Sequence, residues 1–120
     1  MTDRTAEILG TLGVNIPETL SRMLDNEEFY FSVLKSFPED GTFNSLKSAM
    51  EEERYEDAFK AAHTLKGLCA NLGLGGIGDF ATDLTEVLRN PPYDAGRAKE
   101  LFELVSDFYN VTVKGINEIE

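Results

Sequence analysis

The stretch that decides the fold covers residues 55–73 and reads YEDAFKAAHTLKGLCANLG. Apolar residues recur in it at intervals of four, three, four and three positions: Ala58, Ala62, Leu65, Cys69 and Leu72. This spacing forms one apolar stripe along a helix and is typical of a helix that packs into a bundle. Acidic residues near Tyr55 favour a helix N-terminus, and Gly73 is a good left-handed cap. We therefore predict a central helix from Tyr55 to Gly73.

The rest of the chain is also predicted to be helical, because no segment alternates with a period of two for long enough to form a strand. A short first helix is expected from Thr5 to Thr11. A long second helix would begin at the capping residue Asn15 and stop at Pro38. A tight connection is expected at residues 73–76. Three further helices are predicted to start near Asp40, Ile77 and Asp94.

Short loops between long helices imply antiparallel neighbours. The expected fold class is therefore all-α, an antiparallel up-down four-helix bundle with an additional short N-terminal helix. No linker is long enough to divide the 120 residues into two domains. We expect a single domain over residues 1–120, with a core bundle that covers about residues 16–119.

The composition excludes several classes of function. The chain has 22 acidic and 11 basic residues and a formal net charge of −11, and nucleic acid and anionic membrane surfaces repel so acidic a protein. No stretch approaches the ~20 apolar residues that span a bilayer. The charged N-terminus lacks an apolar signal core, and the single cysteine, Cys69, excludes an internal disulfide. We therefore expect a cytoplasmic protein that binds neither nucleic acid nor membranes.

The charge is unevenly distributed along the chain. From Ala58 to Gly78 there is no Asp or Glu, and this window holds Lys60, Lys66 and the only histidine, His63. The sequence therefore predicts a neutral-to-basic patch centred on His63. A stripe of acidic residues on the next helix is interpreted as a solvated face: Asp79, Asp83 and Glu86.

The residues around His63 suit phosphoryl chemistry. A neutral imidazole has a free ring nitrogen that can attack phosphorus, whereas a single histidine cannot build a metal cage. Residues three and four apart share a helix face, so Lys66 is expected beside His63, where it would screen phosphoryl oxygens. Glycine inside a helix costs roughly 1 kcal/mol relative to alanine, and Gly67 is therefore interpreted as a place where a second protein approaches the backbone. The imidazole is expected to be at least half exposed.

The segment AHTLKG at residues 62–67, followed by Asn71-Leu72-Gly73 and a second amphipathic helix, resembles the signature of histidine-containing phosphotransfer (HPt) domains. The resemblance covers about Ile16 to Ile119. It implies a four-helix-bundle carrier in a two-component phosphorelay. His63 would take a phosphoryl group from a receiver aspartate or a kinase and pass it to another receiver aspartate. One departure is Leu68, where the family often has a small residue; we expect this side chain to point away from His63.

The resemblance also implies the partners and the supporting residues. The partners would be response-regulator receiver domains and a hybrid histidine kinase. The ring nitrogen far from the backbone would carry the phosphoryl group, with Lys66 and Gly67 at the supporting positions. The receiver would hold the Mg²⁺, so the chain itself is expected to need no cofactor. The residues expected to dock the partner are Phe59, Lys60, Thr64, Ala70 and Asn71, although Lys60 can also be read as solvated and Asn71 as a helix-end residue.

The sequence also bears on metal binding, kinase activity and oligomeric state. No metal site is expected, because the position three before His63 is Lys60 and not the Glu of di-iron bundles. Cys69 is expected to be a core residue. No nucleotide-binding motif is visible, so no autonomous kinase activity is expected. The alternative function is a non-catalytic helical adaptor that binds a receiver or kinase. We expect a monomer; a third, weaker option is dimerisation through the aromatic residues Phe29, Tyr30, Phe31, Phe102, Phe108 and Tyr109.

Overall fold

The computed structural model describes residues 1–119, and these residues form seven α-helices and no strand. The helices are α1 (Asp3–Thr11), α2 (Ile16–Arg22), α3 (Glu27–Leu34), α4 (Thr42–Glu51), α5 (Tyr55–Leu72), α6 (Gly75–Val87) and α7 (Ala95–Asn117), with one 3-10 turn at Phe37–Glu39. α5 packs against α4 and α6, and α6 packs against α7. Phe43 of α4 stacks on Tyr109 of α7, with ring centroids 3.9 Å apart, and closes the bundle. The predicted all-α bundle is confirmed.

The predicted long helix from Asn15 to Pro38 is wrong, because the chain divides it into α2 and α3. Leu24 and Asp25 both have a φ of 56°, a left-handed conformation that no α-helix can contain. Asn26 then caps α3, since its side-chain oxygen accepts a hydrogen bond of 2.9 Å from the backbone N–H of Phe29. Three short helices therefore precede the bundle, where the sequence indicated one short helix and a long one.

The connection between α5 and α6 is shorter than predicted. Gly73 ends α5 in the left-handed conformation, with a φ of 73°, and α6 already begins at Gly75. Here α1 and α6 meet closely: the backbone N–H of Gly76 donates to the carbonyl of Leu12 over 3.1 Å. A Cβ atom on Gly13 would lie only 2.6 Å from the nitrogen of Gly76. Glycine at position 13 therefore allows the N-terminal helix to hold the start of α6.

The core contains the apolar stripe that was predicted for α5. All five of its members, Ala58, Ala62, Leu65, Cys69 and Leu72, are at most 1% exposed. Burial raises the pKa of the Cys69 thiol to about 12, as expected of a core residue.

Most of the aromatic residues proposed for a dimer interface pack against other residues of the same chain. Tyr109 stacks on Phe43, the ring centroid of Phe108 lies 5.1 Å from that of Phe80, and Tyr30 is 1% exposed. Only Phe29 of the proposed set counts among the exposed large apolar residues, at 53%. Most of the aromatic side chains proposed for dimerisation are therefore packed against other parts of the same chain.

Neither a metal-binding cluster nor a membrane-spanning helix is found within residues 1–119. No group of three or more His, Cys, Asp or Glu side chains is placed to hold a metal ion. None of the helices in this range combines the length and apolar character of a membrane-spanning segment.

Candidate functional site

His63 lies on the exposed face of α5, between the buried residues Ala62 and Leu65. One turn earlier on the same helix is Phe59, whose ring centroid is 6.0 Å from that of the imidazole. Phe59 is half-buried and packs against the core, so it provides an apolar wall on one side of the histidine. The helical spacing thus places the imidazole on the surface of a well-packed helix.

Lys66 and Gly67 follow His63 by one turn, as predicted. Lys66 is half-buried and Gly67 is exposed. A Cβ atom built on Gly67 would meet no other atom within 4 Å, so nothing within residues 1–119 requires a glycine there. Leu68 packs against the core and leaves the surface around His63 free, as expected.

The residues predicted to dock a partner lie on the same outer part of α5. Lys60, Thr64, Ala70 and Asn71 are exposed, and Phe59 is half-buried. The hydroxyl of Thr64 donates a hydrogen bond of 3.0 Å to the carbonyl of Lys60, which orients that hydroxyl along the helix. The sequence-predicted residues therefore come together on one helix face.

Two arginines that the sequence analysis did not indicate also reach this face. Arg22 of α2 donates from Nη2 to the carbonyl of Ala70 over 3.1 Å. Arg89, just after α6, places its guanidinium carbon 5.3 Å from the ring centroid of Phe59, a cation–π geometry. Arg22 and Ala70 are 48 positions apart, and no local pattern predicts such a contact.

The acid-free window of the sequence is not an acid-free surface in space. Glu86 of α6 accepts hydrogen bonds from Arg89, which lower the pKa of its carboxyl, and the charge of Lys66 lowers that pKa further. On α2, Oε1 of Glu18 lies 4.0 Å from Nη1 of Arg22. The patch around His63 thus combines several cations with carboxylates contributed by other helices, and the prediction of a neutral-to-basic patch needs this correction.

The C-terminal end of α5 is held by the helices before the bundle. The hydroxyl of Tyr30 donates a hydrogen bond of 2.9 Å to the carbonyl of Leu72, and burial raises the pKa of this phenol to about 12. This contact satisfies a carbonyl of the last turn that has no partner within the helix. The bond from Arg22 adds a second donor to the carbonyl of Ala70, which also accepts from the backbone N–H of Gly73. The helix that presents His63 is therefore anchored close to the site.

Comparison with known proteins agrees with this geometry. The family model described as "Hpt domain" matches residues 34–108, a range that includes α4, α5 and α6, His63 and the first part of α7. No curated protein and no solved structure matches the chain significantly. The family match covers more than half of the 120 residues. The chain belongs to the Hpt domain family, whose members act in histidine phosphotransfer in phosphorelays.

Proposed function

We propose that His63 is the phosphoacceptor of this Hpt domain, taking a phosphoryl group from a receiver aspartate or a kinase and passing it to the aspartate of another receiver. The observation that carries the proposal is the arrangement on α5. The only histidine of the chain is exposed, a lysine follows one turn later, and the glycine beside it leaves open space where a Cβ would be.

The chemistry requires only a positioned nucleophile. The lone pair on Nε2 of the neutral imidazole forms the N–P bond while the P–O bond to the donor aspartate breaks. The electron pair of that bond stays on the departing carboxylate. In the return direction the acceptor carboxylate attacks phosphorus, and the N–P bond breaks with its electrons returning to the imidazole. Because such transfers are loose, the protein contributes mainly positioning and charge neutralisation.

The neighbouring residues have separate roles in this proposal. Lys66 would screen the phosphoryl oxygens from one turn away on the same face. Gly67 would allow the receiver to approach the α5 backbone closely. Phe59, Lys60, Thr64, Ala70 and Asn71 would form the surrounding docking surface, all of them exposed or half-exposed. The Mg²⁺ of the transfer would belong to the receiver, and the chain would act as a cytoplasmic monomer without kinase activity of its own.

The test is phosphotransfer from labelled receivers encoded in the same genome. The wild type should acquire acid-labile label, and His63→Gln should acquire none while keeping its melting temperature. ATP alone should label neither protein. Label that persists in His63→Gln would refute the assignment. A receiver that binds the wild type without ever labelling it would favour the non-catalytic adaptor.

Lys66 provides a second test of the same proposal. Lys66→Ala should slow transfer by about tenfold, less than the hundredfold or more typical of a donor in a closed active site, because a half-exposed charge is partly screened. The variant should unfold at the same temperature as the wild type. An unchanged transfer rate would remove Lys66 from the mechanism.

A further inference from the structure

Glu86 is linked to His63 by a chain of side-chain contacts across the groove between α5 and α6. Its two carboxylate oxygens accept hydrogen bonds from Nη2 and Nε of Arg89 over 2.7 and 3.2 Å. The guanidinium of Arg89 lies over the ring of Phe59, 5.3 Å from its centroid. The ring of Phe59 is in turn 6.0 Å from the imidazole of His63. The carboxylate thus belongs to the surroundings of the phosphoacceptor.

The register of the α5–α6 pair places Glu86 near the level of His63. The two helices are joined through Gly73 and Leu74 and therefore run antiparallel. A Cβ on Gly78 would lie 3.3 Å from the Cβ of Cys69, so positions 69 and 78 face each other. The same register pairs position 63 with position 84, two residues from Glu86.

Glu86 also competes for a cation, Arg89, that a phosphoryl group on His63 would use. Arg89 binds it directly, and the charge of Lys66 acts on it as well. The side chain of Glu86 is 56% exposed, and within residues 1–119 Arg89 is the side chain that hydrogen-bonds to it. A phosphoryl group would bring nearly two further negative charges to this cluster. It would meet an arginine that is already paired with Glu86 and one carboxylate that repels it.

We propose that Glu86 sets how firmly the phosphoryl group is held on His63, by drawing Arg89 away from it and by repelling it. This inference rests on the proposed function. Glu86 acts through its neighbours and is a positioning residue. Its effect is to keep the phosphohistidine less stable than a free Arg89 would make it, and therefore ready for transfer to a receiver.

A matched control is available on α7. Arg97 and Glu100 form the same kind of Arg–Glu pair three residues apart, with Nη1 and Oε2 separated by 3.3 Å. α7 carries none of the predicted site residues. Glu100→Gln changes the net charge of the protein by the same amount as Glu86→Gln and breaks a comparable surface pair. It therefore reports the general effect of net charge on the phosphorylated protein.

The experiment uses phosphoramidate, a small donor with a P–N bond, to phosphorylate the wild type, Glu86→Gln and Glu100→Gln. Two quantities are measured: the half-life of the phosphohistidine, and the share of phosphoryl group on His63 after equilibration with one receiver. Glu86→Gln should raise both by about two- to fivefold, the range expected of exposed charge interactions. Glu100→Gln should leave the half-life and the phosphorylated share unchanged. The two variants should have similar melting temperatures, so that a difference in stability does not explain the result.

Equal values for Glu86→Gln and the wild type would overturn the inference while leaving the proposed function intact. Equal increases in Glu86→Gln and Glu100→Gln would also overturn it, because the cause would then be net charge. The double variant Glu86→Gln/Arg89→Gln should lose much of the increase, since Arg89 is the released cation. A full increase in both quantities would contradict the role of Arg89. A wild type that takes label from neither phosphoramidate nor any receiver would refute the proposed function, and this inference with it.

Discussion

Gly67 separates helix stability from partner docking, because the two respond to substitution in opposite directions. Gly67 lies well inside α5, and a Cβ there would meet nothing within 4 Å. Gly67→Ala should therefore stabilise the fold by about 1 kcal/mol, the difference in helix propensity. For 120 residues the entropy of unfolding is about 0.25 kcal/mol/K, so the melting temperature should rise by about 4 °C. Gly67→Gln should also be at least as stable as the wild type.

Transfer from a receiver should fall in the same variants. If a receiver packs closely against the backbone at Gly67, the longer Gln side chain overfills that contact. Overpacking costs about 1–3 kcal/mol, which corresponds to a loss of about 5- to 150-fold in transfer efficiency. Phosphorylation by phosphoramidate, which needs no docking, should keep its rate. The measurements are thermal unfolding and transfer rates with both donors.

Gly10 provides the matched control for this experiment. It also lies in a helix, α1, and a Cβ there would likewise meet nothing within 4 Å. Gly10→Ala should leave transfer from the receiver unchanged and should not lower stability. Wild-type transfer from the receiver in Gly67→Gln would refute the idea that a partner approaches closely. Equal slowing with both donors would point to a disturbed histidine and not to blocked docking.

Three further predictions concern the frame of the site. Tyr30→Phe should lower the free energy of unfolding by about 1 kcal/mol at pH 7 through loss of the bond to Leu72. Because burial raises the pKa of Tyr30 from 10.0 to about 12, its neutral form stabilises the wild type fully below pH 10. This contribution is lost as the pH rises from 10 to about 12, so the stability advantage of the wild type over the variant, measured by denaturant titration, should be smaller at pH 11.5 than at pH 8. Cys69 should resist iodoacetamide at pH 8 until the protein is unfolded, because it is 1% exposed and burial raises its pKa to about 12. Rapid alkylation of the folded protein, detected by mass spectrometry, would contradict the buried position. Leu24→Gly should raise the free energy of unfolding by about 1 kcal/mol, measured by thermal unfolding. Leu24 is 92% exposed and has a φ of 56°, a conformation that is costly for leucine but not for glycine. A lower stability would argue against this left-handed conformation between α2 and α3.

The parts of the structure that were predicted correctly depend on short-range regularities. The buried stripe of α5 follows from apolar spacing, and the shared face of His63, Lys66 and Gly67 follows from the helical repeat. The division of the second predicted helix was missed, since a left-handed leucine has no sequence signal and the apolar period continues across Leu24. Asn26 was a local signal for a new helix, but it stands inside an otherwise periodic run.

The arrangement of charges around His63 was only partly predictable from the sequence. A window without acidic residues suggested a basic patch, yet Glu86 pairs with Arg89 beside Phe59, because α6 folds back along α5. This contact was partly predictable. A short connection makes positions equally far from the turn into neighbours, so Arg89 and Glu86 had to lie near residues 58–61. The contact of Arg22 with Ala70 was not predictable, because it depends on how α2 packs against the bundle.

The helices before the family match are part of the structure that presents His63. The match begins at residue 34, but Tyr30 and Arg22 bind carbonyls in the last turns of α5. Leu9, Leu12 and Val14 belong to the same buried core as α5. An unpaired carbonyl at a buried helix end is costly, so the buried bond from Tyr30 to Leu72 helps to keep the last turn of α5 ordered. A boundary drawn at residue 34 would therefore remove groups that hold the phosphoacceptor helix in position.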